Sequence, residues 1–122
     1  MSKKAFEYAS IAVAICFTVI FCLLVVPAAI ERTKQEVRYD GKYLSMSYLN
    51  GDVPSSIGVC TDVIIRAYRT IGKDLQVLVH EDMARNLSDY PSKRIWNLNS
   101  TYRNIDHRGV PNLQVFLSRH VT

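Results

Sequence analysis

Cysteine is scarce in this 122-residue sequence: there are three, and two of them, Cys16 and Cys22, lie in an apolar N-terminal run. Cys60 is alone in the remainder, so no intramolecular disulfide can staple that part. Five glycines and four prolines are too few for a collagen-like or low-complexity chain, and no glycine-rich phosphate loop is present. No CxxC, HExxH or carboxylate-rich loop marks a metal site, and no cofactor is implied. Charge is modest too. Lys3, Lys4 and Glu7 are the charges of the first 30 residues; taking them from totals of 15 Lys/Arg and 11 Asp/Glu leaves 13 and 10 for the rest. Arg66, Arg69 and Lys73 read as a solvated basic helix face without interleaved aromatics, so nucleic acid is not expected as a partner. With 48% apolar residues the chain is not a disordered one, and its length allows one domain at most.

What is present is a long uncharged run. Residues 9–30 (ASIAVAICFTVIFCLLVVPAAI) hold 22 positions in which only Ser10 and Thr18 are polar. As a helix rising ~1.5 Å per residue, the run matches a hydrocarbon core of ~30 Å. Two readings remain open. An uncleaved signal anchor is favoured because the apolar core of a cleaved signal runs only ~7–15 residues, although Val26-Pro27-Ala28 would serve as a cleavage site. The charges divide on orientation. Arg32, Lys34, Arg38 and Lys42 after the run outnumber the two lysines before it, whereas a short basic N-terminus usually stays in the cytoplasm. Residues 1–8 are then a basic leader, 9–30 the anchor or signal, 31–42 (ERTKQEVRYDGK) a polar tether, and 43–122 the domain.

Within the domain, 43–48 (YLSMSY) alternates with Leu44, Met46 and Tyr48 on one face and predicts a short strand. Residues 49–58 (LNGDVPSSIG) predict a loop. Val59, Val63, Ile64, Ala67 and Ile71 recur at helical spacing, and Gly72 supplies a stop, which predicts a helix over 60–71. A second helix is expected over 74–88, capped by Asp74, with Leu75, Leu78, Val79, Met83 and Leu87 as its apolar stripe. Residues 92–109 read as an ordered loop. Pro111 opens a third helix to about His120, with Leu113, Phe116 and Leu117 inward. One strand satisfies no ladder, so a sheet is missing from this inventory.

The chemistry centres on GVCTD, residues 58–62. It sets Cys60 between a glycine-containing loop and a helix start, where the helix dipole and free N–H groups favour a thiolate and can receive a developing oxyanion. The alternative is a small buried thiol packed beside Val63 and Ile64. A nucleophilic cysteine needs a base, usually histidine. His107, beside Asp106 in NIDHRG, is the best local candidate for base or support. His80 reads as a partly exposed helix residue, and His120 stands where fraying would spoil fixed geometry.

Six phrases carry a resemblance: YDGKY (39–43), GDVP (51–54), GVCTDVIIRAYR (58–69), DLQVLVHEDM (74–83), YP (90–91) and NIDHRGVPNLQVFLSRH (104–120). In order and spacing they resemble the bacterial family catalogued as domain of unknown function 1287. The resemblance implies an exported domain, distantly similar to NlpC-type papain-like cysteine peptidases and amidases that cut peptidoglycan amide bonds. Cys60 then matches the nucleophile, while Asp62, His107 and Arg108 match recurrent positions of active-site support or fold. Gly109 stands where a second arginine is expected, and Leu49 where proline is usual. In the family, the helix matching 111–120 is followed by strands that bear the base.

The expected fold is therefore α+β: the N-terminal helical part of a papain-like hydrolase domain behind one transmembrane helix or signal, its sheet largely missing through C-terminal truncation. The expected function is that of an envelope cysteine hydrolase on peptidoglycan-type amide bonds, inactive in this form. The alternative is a membrane-anchored, non-catalytic binding or structural module. The expected partners are the membrane, through residues 9–30, and peptidoglycan or an envelope peptide. The expected location is the inner membrane with the C-terminal part in the periplasm, or the periplasm itself if the signal is cleaved.

Overall fold

A computed structural model describes residues 2–120. Ser2 caps the first helix, α1 (Lys3–Thr33), by accepting the Ala5 N–H at 3.2 Å. The uncharged run then continues helically for want of a breaker until Pro27, which lies inside the helix. The helix thus runs past residue 30 into the segment expected to be a tether. From Lys3 to Ile20 every residue is exposed. From there on Phe21, Val25, Ala28, Ala29 and Arg32 form a half-buried stripe at helical spacing.

Two further residues of the expected tether lie in a strand. β1 (Arg38–Tyr39) pairs in parallel with β2 (Ile57–Gly58), in the register Arg38 to Ile57 and Tyr39 to Gly58. Residues 43–48 do not form the expected strand. Their alternation correctly marks Leu44, Met46 and Tyr48 as half-buried, but among the described residues no neighbouring segment offers a ladder. Periodicity specifies a face, whereas a strand needs a partner.

The core lies among α2 (Cys60–Arg69), α3 (Leu75–Arg85) and α5 (Val110–His120). Ile65, Leu75, Val79, Met83, Tyr90, Leu113 and Phe116 are its buried members. The stripes expected on α3 and α5 face inward, apart from Leu78. The stripe expected on α2 is rotated. Ile65 and Ala67 are buried with Thr61 and Asp62, while Val63 and Ile64 are exposed, because polar contacts of the first turn fix which face turns inward. Gly72, at φ 75°, ends this region in the left-handed conformation that glycine adopts freely. The segment expected as a loop over 92–109 contains a short helix, α4 (Ser92–Trp96), and a 3₁₀ turn at Asp106–Arg108.

Buried polar side chains tie the long loops to the helices. Gln76, fully buried, accepts the Gly51 N–H at 3.0 Å and donates to the Ser47 and Arg103 carbonyls at 3.0 and 3.1 Å. A Cβ on Gly51 would come within 2.0 Å of the Ser47 carbonyl, so only glycine fits this crossing. Asp82 accepts from Tyr90 and from Arg119, the latter at 3.0 Å, and lies 3.3 Å from His120 Nε2. Burial pushes the Asp82 carboxyl up, but the hydrogen bonds from Tyr90, Arg119 and His120 outweigh it and hold the group below its ordinary value. His120, where fraying was expected, lies in the last turn of α5 with its Nε2 against Asp82. Arg66 and Arg69, expected on a solvated face, both pair with Asp52, at 2.8 and 3.3 Å.

Candidate functional site

The site begins at the α2 N-terminus. Val59, the N-cap, has no side-chain acceptor, and the cap is completed from within the helix: Asp62 Oδ2 accepts the Val59 N–H at 2.7 Å. Asp62 is buried, and Arg108, also buried, donates to it through Nε and Nη2, both at 3.0 Å. The adjacent Thr61 hydroxyl donates to the Arg108 carbonyl at 2.9 Å. Three bonds therefore clamp the first turn of α2 to the turn at Asp106–Arg108. With Thr61 and Asp62 facing inward, Cys60 faces out, exposed and unpaired. The buried-thiol alternative for Cys60 is thereby corrected.

His107 rides on the clamped turn, yet its imidazole is turned away from solvent and is only 2% exposed. Burial, then the neighbouring Arg108 charge, pulls it down to about 4, so it is neutral at ordinary pH. Its Nδ1 has no hydrogen-bond partner among the described residues. No hydrogen bond joins it to Cys60 there either. Its position fits support of the turn rather than proton transfer to a surface thiol. Asp106 beside it accepts the Tyr102 N–H, and burial pushes its carboxyl up to about 6. The Asp106 carbonyl accepts from Asn112 Nδ2 at 3.2 Å, which seats the turn on α5. Neither Asn112 nor Gln76 stood out in the sequence, though both are polar residues next to an apolar stripe position.

A second feature lies away from Cys60. Tyr43, His80, Thr101, Tyr102, Arg103 and Asn104 line a cleft of about 400 Å³. Asn104 Nδ2 donates to the Tyr43 hydroxyl at 3.0 Å, and the Arg103 guanidinium lies 5.3 Å from the centre of the Tyr48 ring. Tyr48 in turn meets His80 edge-on at 5.4 Å. His80 Nδ1 and Asn104 Oδ1 are buried without partners among the described residues.

The family model described as "Domain of unknown function (DUF1287)" matches residues 26–122. The chain belongs to the DUF1287 family. It is 48% identical over 98 residues to the uncharacterized protein YijF of Escherichia coli (strain K12), a match that covers 80% of this chain and 47% of YijF. The chain thus spans about half the length of the curated relative it matches. No solved structure matches it. The DUF1287 match includes the whole Cys60–Arg108 clamp, and it starts at Val26, within the half-buried stripe of α1.

Two outcomes are expected in this DUF1287 domain. Arg108→Ala leaves the Asp62 charge buried and unpaired, so urea unfolding of the full chain in detergent should show a loss of about 3–5 kcal/mol. A loss below ~1 kcal/mol would show that the clamp carries little. The second outcome concerns pH. The depressed His107 contributes stability that is present above its ordinary 6.5 and lost as pH falls through about 4. The raised Asp106 contributes stability present below its ordinary 3.8 and lost as pH rises through about 6, so the two oppose each other in between. His107→Gln cannot take up the proton. Between pH 6.5 and 4 it should lose less stability than the parent, by up to about 3 kcal/mol, in the same unfolding measurement. Parallel pH profiles would contradict this assignment.

Proposed function

We propose that residues 43–120 form the nucleophile-bearing part of a cysteine hydrolase for peptidoglycan-type amide bonds, exported and held at the membrane by α1. The observation that carries the reading is Cys60, exposed on the first turn of a helix whose orientation the Asp62–Arg108 pair fixes. In the first turn of α2 the Asp62 N–H is taken by the Val59 carbonyl at 3.0 Å, and the Cys60 and Thr61 N–H groups, which lack helical carbonyl partners, stand available to an oxyanion. The Asp62 carboxylate would repel a nearby thiolate, but Arg108 neutralises it. The remaining requirement is a base. His107 is buried, His120 lies against Asp82, and His80 belongs to the separate cleft. With these residues alone, Cys60 takes an acyl group without completing amide hydrolysis.

An activated ester tests this, because its leaving group departs without being protonated. A p-nitrophenyl ester of an N-acetyl dipeptide should acylate Cys60 of the full chain at least about tenfold faster than an unfolded peptide spanning 55–65. With Cys16→Ser and Cys22→Ser in both chains, Cys60→Ser should stay unmodified in the mass spectrum, and purified muropeptides should remain uncut. Acylation no faster than in the peptide would sink the reading.

The cleft between Tyr43 and Arg103 favours a second reading, a membrane-anchored binding module. Its exposed tyrosines and guanidinium suit a glycan or peptide carrying a carboxylate. On this reading Arg103→Ala abolishes co-sedimentation with isolated peptidoglycan sacculi while Cys60→Ser retains it. Equal sedimentation of both variants would remove the cleft from consideration.

A further inference from the structure

The apolar helix does not stand clear of the domain. Its last turns and α2 lie side by side in opposite directions. At one end Arg32 and Thr33 border a small cavity with Val59, Asp62 and Val63, at the start of α2. There Arg32 also donates to the Ser55 carbonyl at 3.0 Å. At the other end Phe21 meets Tyr68, in the last turn of α2, edge-on at 5.4 Å. The chain leaves α1, turns at β1 and β2, and comes back along the same helix. The C-terminal end of α2 is thus carried toward the N-terminal half of α1, whose residues 3–20 are exposed on every side.

The length of α1 then sets a depth. Glu7 is the last charge before the apolar run, and from Glu7 to Phe21 the helix rises only about 21 Å. A hydrocarbon core needs ~30 Å. A bilayer with one boundary at Glu7 therefore reaches past the level of Phe21 by about 9 Å, within the 5–10 Å to which interfacial helices embed. The end of α2 has side chains suited to that depth. Ile64, Tyr68 and Ile71 form one stripe at helical spacing, with Ile64 exposed and the other two half-buried. The exposed Lys73 follows, and lysine and tyrosine are both residues of the membrane–water interface. The DUF1287 match begins at Val26, so Arg32 and Thr33, beside the start of α2, lie within it, and Phe21 lies before it.

We propose that the domain is seated on the bilayer, with the C-terminal end of α2 and the turn that follows it, from Ile64 to Lys73, embedded in the lipid interface beside α1. The partner is the lipid surface. Cys60, eight residues before Tyr68, stands about 12 Å further along α2, which puts it about 3 Å beyond that boundary on the aqueous side. This rests on α1 crossing the membrane.

The test uses the full chain in vesicles of phosphatidylethanolamine and phosphatidylglycerol. A bimane fluorophore is placed either on Cys60, with Cys16→Ser and Cys22→Ser, or at Ile71→Cys, with all three native cysteines replaced by serine. Lipids spin-labelled in the acyl chain should quench the probe at position 71 several-fold more than the probe at position 60. Tyr68→Ala, which removes the contact with Phe21, should weaken that quenching. Flotation on a density gradient separates two failures. A chain that does not float with the vesicles overturns both the crossing and the seating. A chain that floats with equal quenching at both positions overturns the seating alone.

Discussion

The ion pair between Asp62 and Arg108 joins residues far apart in sequence with almost no water around them, their side chains 4% and 3% exposed. Two parallel hydrogen bonds satisfy the guanidinium fork, and Asp62 Oδ2 also accepts the Val59 N–H. A buried pair of this kind gains little over a well-packed apolar pair, because both charges must leave water. Its consequence is positional. The pair determines which side of α2 faces inward, turns Cys60 outward, and draws the Asp106–Arg108 turn onto the helix start. The order of the site follows from this constraint.

The same device recurs wherever the fold lacks regular secondary structure. A two-stranded sheet of two-residue strands leaves long segments without a ladder, and their backbone groups need other partners. Gln76 takes three of them, Asp74 accepts the Asn50 and Gln76 N–H groups, and Asn112 takes the Asp106 carbonyl. The apolar core among α2, α3 and α5 supplies the bulk of the burial. The polar side chains decide how the loops lie upon it.

Much of this was legible in the sequence and some was not. The uncharged run, the α3 and α5 stripes, the Asp74 cap and the stop at Gly72 are short-range features, and the structure contains each of them. Cys60 at a helix start was equally readable from the change of period after the glycine-containing loop. The strand over 43–48 was not decided by its alternation, since no partner is encoded locally. The inward face of α2 was misread for a related reason. Hydropathy favours Val63 and Ile64, but burial of Asp62 needs a counter-charge 46 positions away, and no local pattern announces it.

The sequence by itself determined where α2, α3 and α5 lie, that another helix is long and apolar enough to cross a membrane, and that a lone thiol heads α2. Helical periodicity, capping and hydropathy act within a few residues, so they can be read in one dimension. Only the tertiary structure decided that His107 is sealed in the interior, that Arg108 neutralises Asp62, that His120 lies against Asp82, and that α2 runs back along α1. Each of these depends on desolvation or on charges brought together from distant parts of the chain, and burial is a property of the folded molecule rather than of any segment.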